Sequence, residues 1–208
     1  MNYLEALSRR YSVKKFNHEI IPKEILNNIL ESGKLSASSL GLQPYKILVV
    51  ESEAMKQKLI PAFYNPSQIS TCSHLIVIIS KKSIEENYIH GYFNHISEVR
   101  ETPIENLELF RKSINQHITK KTQEEIFNWA EKQSYIVLAN LMYAAAIENI
   151  DSCPMEGFRQ DLIEEILSIN PETEKVTVTL ALGYRSEEDA FQHMKKVRKP
   201  NEKLFKFI

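Results

Sequence analysis

Glycine is scarce in this chain, and its few glycines are widely separated. The 208 residues include only five, which stand singly as Gly33, Gly41, Gly91, Gly157 and Gly183. Neither G-x-x-x-x-G-K nor G-x-G-x-x-G occurs, which excludes a glycine-rich phosphate loop. H-E-x-x-H, G-x-S-x-G and C-x-x-C are also missing. Any phosphate group would therefore have to be held by side chains.

Cysteine is rarer still, with Cys72 and Cys153 as the only two. Both lie in apolar surroundings without the spacing of zinc ligands, and residues 1–10 show no secretory leader. These features favour a reducing cytoplasmic compartment and two buried free thiols, with a disulfide between them as the alternative. We assign neither cysteine a catalytic role and expect no metal site.

The chain has no excess of one charge and no membrane-length apolar run. Charged residues make up 25% of it and the net charge is −1, so the basic field typical of nucleic-acid or membrane binding is absent. The most apolar run, residues 136–147, spans about 12 residues, whereas roughly 20 are needed to cross a bilayer. We expect no nucleic-acid or membrane partner, and one domain over residues 1–208.

Hydrophobic periodicity predicts more helix than strand. Nearly continuous apolar runs typical of doubly covered strands occupy residues 45–51, 74–80 and 176–182. Helices are predicted over residues 2–9, 22–35, 54–63 and 122–149. The last is opened by a capping box between Thr122 and Glu125. Residues 81–121 predict a polar helical excursion from the core.

The chain ends in an alternating pattern. Apolar residues and lysines alternate over residues 203–208, which predicts a terminal strand. Such a strand could join its own sheet or the sheet of another subunit, and together with the long helix it favours a dimer. The alternative is a loosely packed tail.

Three short segments carry groups suited to a phosphorylated, flat ligand. Arg10, Ser12 and Lys14 alternate, so an extended backbone would point two cations and a hydroxyl the same way. Lys196 and Arg198 repeat this spacing near the other end. Alone, each basic pair is typical of solvated surface charge. Residues 154–157, with proline first and glycine last, predict a stiff turn after the long helix that brings backbone N–H groups close to a ligand.

Taken in order along the chain, these segments resemble the nitroreductase family. The matching motifs are Arg-Arg-Tyr-Ser-Val-Lys-Lys-Phe near the start, Ser-Ala-Ser-Ser-Leu-Gly-Leu-Gln-Pro-Tyr, Pro-Met-Glu-Gly-Phe, and Gly-Tyr-Arg with a later Lys-x-Arg. The likeness covers essentially the whole chain. It is greatest to the branch that contains oxygen-insensitive bacterial nitroreductases and dihydropteridine reductase.

The resemblance implies an α+β sandwich with a central mixed sheet covered by helices, built as an intertwined homodimer with FMN in its interface. One chain would bind FMN through Arg10, Tyr11, Ser12, Lys14, Asn65, Gln68, Pro154, Met155, Glu156, Gly157, Lys196 and Arg198. Its partner would contribute Ser38, Ser39 and Gly41. The backbone N–H of Glu156 would face flavin N5, so no side chain is assigned a catalytic role.

Two residues depart from the family pattern. Gly41 stands where an asparagine is usual, so one hydrogen bond to the flavin would be missing. Gln68 stands where the most similar bacterial enzymes have a lysine. Because a nearby cation favours the anion of reduced flavin, Gln68 predicts a lower redox potential.

The resemblance further implies an FMN-dependent oxidoreductase that uses NADH or NADPH and passes electrons by a ping-pong mechanism to nitroaromatic or quinone-type acceptors. One alternative is a specialised reductase of enones, pteridines or halogenated rings. Others are a flavin-binding store or sensor with little turnover, and an interaction domain with a charged surface. The sequence leaves open the physiological acceptor and the preferred nicotinamide. Candidate ring-stacking residues in the excursion are Tyr88, Tyr92, Phe93 and Phe110.

Overall fold

A computed structural model describes residues 2–208. In chain order its elements are α1 (Tyr3–Arg9), α2 (Lys23–Lys34), β1 (Tyr45–Val50), α3 (Glu53–Leu59), α4 (Ser67–Thr71), β2 (His74–Lys81), α5 (Glu86–Val99), α6 (Glu108–Thr119), α7 (Gln123–Ile147), β3 (Asp151–Met155), α8 (Gln160–Ile166), β4 (Glu174–Gly183) and α9 (Asn201–Leu204). Over these residues no helix is both long and apolar enough to cross a membrane.

The strands form one sheet in the order β1-β2-β4-β3. The α+β class is confirmed, but the expected mixed sheet is wrong in its strand directions, because all three strand pairs are antiparallel. The connections from β1 to β2 and from β3 to β4 return the chain at the same end of the sheet, which gives this arrangement. Within residues 2–208, parallel pairing occurs only at a single bridge between Ser12 and Ser152.

The sheet is covered on both faces, which explains its continuous apolar runs. Along β2, Leu75, Val77 and Ile79 belong to the core that includes α3, α4 and α8, whereas Ile76 and Ile78 belong to the core formed with α2 and α7. A third cluster lies under α5 and α6, the excursion expected from the sequence. Both cysteine thiols are buried and unpaired, which confirms the expectation of free cysteines.

Helix α7 is the longest element and begins as the sequence predicted. The side chain of Thr122 accepts from Glu125 N, and the Glu125 carboxylate accepts from Thr122 N, which completes the capping box. Helix α2 packs closely against α7 at Gly33, where an added Cβ would lie 2.8 Å from a Leu141 methyl group. This close approach fixes one covering layer on the sheet.

Two segments differ from the sequence-based expectations. Pro154 belongs to β3 and not to a turn. Since β3 pairs with β4 alone among the described strands, proline can occupy this edge without breaking the sheet. The terminal strand over residues 203–208 is also wrong for the single chain, because Asn201–Leu204 is a helical turn. Phe207 and Ile208 beyond it are fully exposed, so no sheet edge among residues 2–208 covers them.

Candidate active site

The segment from residue 10 to residue 16 is extended and anchored at both ends. Ser12 pairs with Ser152 of β3, and Phe16 pairs with Arg185. Val13 and Phe16 are buried in the core, with exposures of 0% and 1%. Because side chains alternate along an extended backbone, burial of Val13 turns those on either side of it outward.

A cavity of about 510 Å³ lies over this segment. It brings together the two basic segments that are far apart in sequence. Its lining residues are Ser8, Arg9, Arg10, Tyr11, Ser12, Lys14, Arg185, Phe191, Gln192, Met194, Lys195, Lys196 and Arg198. The expected cluster of Arg10, Ser12 and Lys14 with Lys196 and Arg198 therefore exists in the folded chain.

The cations of this cavity repel one another. Burial, and then the nearby Arg198, lower the pKa of Arg10. Burial, Arg10 and Arg198 lower the pKa of Lys196 in the same way. Arg10 Nη1 is buried, and no group in the described part of the chain bonds to it. A bound anion would relieve this repulsion and satisfy the unpaired donor, so the donor set fits a phosphate group.

A second group of polar atoms meets at β3. Lys14 Nζ and Gln68 Nε2 each lie 3.9 Å from Cys153 Sγ. Burial raises the pKa of the Cys153 thiol, although the Lys14 charge opposes this shift. Gln68 Oε1 and Ser152 Oγ are buried, and neither has a hydrogen-bond partner among residues 2–208. Polar groups thus remain available beside the cation cluster.

The end of β3 leads into an exposed turn. The Glu156 carboxylate accepts a 2.5 Å hydrogen bond from the Tyr135 hydroxyl on α7. Gly157 O accepts from Tyr64 N at 3.0 Å. Over the described chain, no hydrogen bond uses the backbone N–H groups of Glu156 or Gly157 as donors. These two donors are therefore open to a ligand. Asn65 is exposed in the nearby turn before α4, where its Oδ1 accepts from Ser67 N.

Ser38, Ser39 and Gly41 lie elsewhere in the same chain. Ser39 N donates to Gln133 Oε1 at 2.8 Å, whereas Arg9 beside the cavity reaches Ala146 O on the same helix. Gln133 and Ala146 are separated by about 20 Å along α7. One chain therefore does not bring the serine-rich loop to its own cation cluster.

The serine-rich loop is instead fitted closely to α5. Gly41 has a φ of +70°, and an added Cβ would lie 2.2 Å from the Tyr92 hydroxyl. The Tyr88 hydroxyl, one turn earlier, reaches the carbonyls of Leu42 and Gln43 at 2.8 Å. A side chain at residue 41 is thus disfavoured by the backbone conformation and would require the Tyr92 side chain to move.

Two buried acids support the site and were not identified from the sequence. Asp151 pairs with Arg185, whose guanidinium lies 4.7 Å from the centre of the Tyr11 ring. Asp189 is 2% exposed and accepts four hydrogen bonds, three of them from residues 11–15. Asp189 follows two glutamates, and nothing in that acidic run distinguishes it. The Gly-Tyr-Arg motif was the only sequence signal for the Arg185 contact.

No group of three or more His, Cys, Asp or Glu side chains in the described part of the chain is arranged to hold a metal ion. The site's ligand groups are instead the cations, hydroxyls, amides and backbone N–H groups described above.

The chain is similar in sequence and in fold to several known proteins. The chain is 35% identical over 215 residues to a candidate NAD(P)H nitroreductase from Staphylococcus haemolyticus, covering 99% of this chain and 96% of that protein. A candidate NAD(P)H:FMN oxidoreductase from Staphylococcus epidermidis has the same fold, with a TM-score of 0.88, 24% identity and coverage of 100% and 97%. A candidate nitroreductase from Exiguobacterium sibiricum, solved in complex with FMN, has a TM-score of 0.87, 22% identity and coverage of 100% and 98%. Residues 7–184 match the sequence profile of the nitroreductase family, and the chain belongs to that family.

Proposed function

We propose that this protein is an FMN-dependent NAD(P)H oxidoreductase that reduces nitroaromatic or quinone-type acceptors by a ping-pong mechanism. The observation that carries the proposal is the convergence of Arg10, Lys14, Lys196 and Arg198 on one cavity beside β3. The names of the relatives above and the FMN complex of one structural neighbour support it. Residues 1–208 would act as a single FMN-binding domain.

The residues of the chain would divide the cofactor between them. Arg10, Lys196 and Arg198, which repel one another, would hold the phosphate. Tyr11 and Ser12 would line the middle of the site, while Lys14, Asn65 and Gln68 would face the pyrimidine edge. The backbone at Pro154 and Met155 would lie along the flavin ring system. Glu156 and Gly157 would donate hydrogen bonds to this ring system from their unpaired backbone N–H groups.

When bound, FMN supplies the redox chemistry, so the protein needs to provide binding, orientation and electrostatics. The Glu156 side chain is engaged by Tyr135. We therefore assign its backbone N–H, and not its carboxylate, to the cofactor. Its replacement by glutamine is expected to preserve that donor.

We also propose a homodimer in which each site is completed by the partner's serine-rich loop. Helix α7 exposes apolar side chains along its length, namely Tyr135, Ile136, Tyr143 and Ile147. The loop with Ser38, Ser39 and Gly41 lies about 20 Å along α7 from the Arg9 contact, as calculated above. A second chain packed on α7 would let this loop reach the other chain's cofactor.

Among residues 2–208, the sheet has an open edge along β1 that lies beside two cavities. β1 pairs only with β2 in residues 2–208, so its other edge is open. Cavities of about 550 and 570 Å³ lie between α2 and this edge, one beside Tyr45 and Ile47 and the other beside Val49. We propose that residues 205–208 of one chain pair with β1 of the other, where the terminal strand predicted from sequence would form.

The dimer is tested by light scattering coupled to size-exclusion chromatography. The double substitution Phe205→Asp and Phe207→Asp should weaken both dimerisation and FMN retention. Leu109→Asp on α6, which changes another exposed apolar residue, is the control and should leave both unchanged. A monomeric wild type that binds FMN would contradict the shared site.

The function is tested by anaerobic absorbance titration of the FMN-loaded protein with NADH, with NADPH, and then with a panel of nitroaromatic, quinone, enone, pteridine and halogenated acceptors. Bleaching of the flavin band followed by recovery supports the proposal, and the panel identifies the acceptor class. A flavin that binds but stays oxidised would indicate a store or sensor, and absence of flavin binding would refute the proposed site.

A matched pair of variants tests the residues. Lys14→Met should weaken FMN binding, because Lys14 faces the cavity. Lys15→Met changes the next residue, which pairs with Glu188 at the surface, and should leave FMN binding unchanged. Equal losses in both variants would contradict the assignment of Lys14.

A cytoplasmic location is also proposed, since both thiols are unpaired and free thiols are typical of a reducing compartment. Mass measurement after thiol alkylation of protein taken from its cells would test it. Two alkylated cysteines are expected.

A further inference from the structure

Asp189 is a buried carboxylate whose four hydrogen bonds come from neutral donors. It is 2% exposed. Its Oδ2 accepts from Lys14 N at 2.7 Å, Lys15 N at 3.3 Å and the Tyr11 hydroxyl at 3.2 Å. Its Oδ1 accepts from Phe191 N at 3.0 Å. Burial alone would raise the pKa of Asp189, but these donors lower it below its usual value, so the group is ionised at neutral pH.

These hydrogen bonds fix the extended basic segment. One carboxylate holds both the Tyr11 side chain and the backbone of Lys14, and therefore sets the path of the residues between them. The Tyr11 ring also lies against the Arg185 guanidinium, which is itself paired with Asp151. Asp189 therefore holds the segment directly, and Asp151 holds it through Arg185.

Asp189 belongs to the other half of the cavity as well. Its side chain caps the helical turn Ala190–His193, which begins the stretch leading to Lys196 and Arg198. Ser186 N donates to Lys15 O at 3.0 Å, so this stretch also meets the basic segment through its backbone. Cations of the two halves lie near one another: after burial, which is the larger cause, Arg198 lowers the pKa of Arg10, and Arg10 and Arg198 lower the pKa of Lys196. The Lys196 ammonium donates to the carbonyls of Leu7 and Arg10, and Asp189 adds a second link between the two halves.

We infer that Asp189 is a positioning residue, which ties the Tyr11–Lys15 backbone to the segment carrying Lys196 and Arg198 and so brings the cations to a spacing that grips the cofactor's phosphate. This inference rests on the proposed function. In Asp189→Asn the amide nitrogen would face either Phe191 N or the N–H groups of Lys14 and Lys15, all of which now donate to an oxygen. The variant would therefore keep the hydrogen bonds on one side of the Asp189 side chain and lose those on the other.

The test compares two flavins that differ only in the phosphate. Dissociation constants of FMN and riboflavin are measured by fluorescence titration of the apoprotein for wild type, Asp189→Asn and Glu188→Gln. Asp189→Asn should weaken FMN binding about tenfold, or about 1.4 kcal/mol, and change riboflavin binding less than about twofold. The Glu188→Gln control removes only a surface pair with Lys15 and should change neither constant by more than about twofold.

The ratio of the two constants separates positioning from general damage. A purely structural role of Asp189 would weaken the binding of both flavins equally and leave the ratio of their dissociation constants unchanged. That result would overturn the inference, and so would a wild type that binds FMN and riboflavin equally well. If Asp189→Asn fails to fold, Asp189→Glu keeps the carboxylate and displaces it by one methylene group. It should weaken FMN binding about threefold and leave riboflavin binding unchanged. A wild type that binds no FMN would instead refute the proposed function.

Discussion

In the proposed FMN site, Gln68 lies beside the flavin. It is 3% exposed, and its Nε2 lies 3.9 Å from Cys153 Sγ. Lys14 Nζ lies the same distance from that sulfur, so the two nitrogen atoms are within about 8 Å of each other. The ammonium group of a Gln68→Lys variant would therefore share the surroundings of Lys14. We predict that this substitution raises the flavin's redox potential.

The size of the effect follows from Coulomb's law. Two unit charges about 8 Å apart interact by about 2 kcal/mol at an effective dielectric constant near 20. With the new ammonium about 8 Å from the negative charge of reduced FMN, this interaction would raise the two-electron midpoint potential by about 40 mV. The same charge repels Lys14 by about 2 kcal/mol before FMN binds, so the apoprotein should lose stability.

Spectroelectrochemistry of the FMN-loaded protein measures this shift. Gln68→Met is the matched control, because it removes the amide without adding a charge. We expect the lysine variant to lie about 40 mV above both the wild type and the methionine variant. Equal midpoint potentials in the lysine and methionine variants, with FMN fully bound in each, would refute the electrostatic reasoning.

Three further predictions concern stability. Lys56 is 3% exposed, and its ammonium donates to two backbone carbonyls. Lys56→Met should therefore lower the free energy of unfolding, measured in urea, by about 2 kcal/mol. Lys58→Met, an exposed control on α3, should change this free energy little. Gly41→Ala should destabilise the protein by about 1–3 kcal/mol, because the φ of Gly41 is +70° and a Cβ would meet a tyrosine hydroxyl. Gly91→Ala is the control: no atom lies within 4 Å of an added Cβ, so it should stabilise the protein by about 0.5–1 kcal/mol. Burial lowers the pKa of His74. As the pH falls, the unfolded state therefore binds the proton first, and the free energy of unfolding decreases below about pH 6.5. His74→Gln should flatten this pH dependence, and an unchanged slope would contradict the prediction.

Local patterns of sequence were sufficient for the strands that are covered on both faces and for the start of α7. The runs that became β2 and β4 are covered on both faces, so any packing partner would keep them as strands. The start of α7 depends only on Thr122 and Glu125, three residues apart, and such a signal can be read without the fold. These elements frame the site.

Elements that depend on distant residues could not be predicted in the same way. β3 is five residues long and includes Asp151, Ser152 and Pro154, so it has no strand-like alternation. It is a strand because β4 pairs along it and because the extended segment meets it at Ser152. The C-terminal residues show the converse, since their alternation favours a strand but no edge of the same chain receives them.

The sequence identifies the cations of the site but does not show which of them are ion-paired. Lys15 and Arg185 are ion-paired, to Glu188 and Asp151 respectively. Arg10, Lys14 and Arg198, which line the same cavity, form no ion pair with any acid in residues 2–208. All five are equally basic in sequence, so their spacing alone cannot tell a cation that supports the fold from one that awaits a ligand. Their acidic partners make that distinction. Glu188 and Asp151 neutralise Lys15 and Arg185, and Asp189 anchors the backbone of the basic segment, so the other cations keep a positive charge that an anion can match.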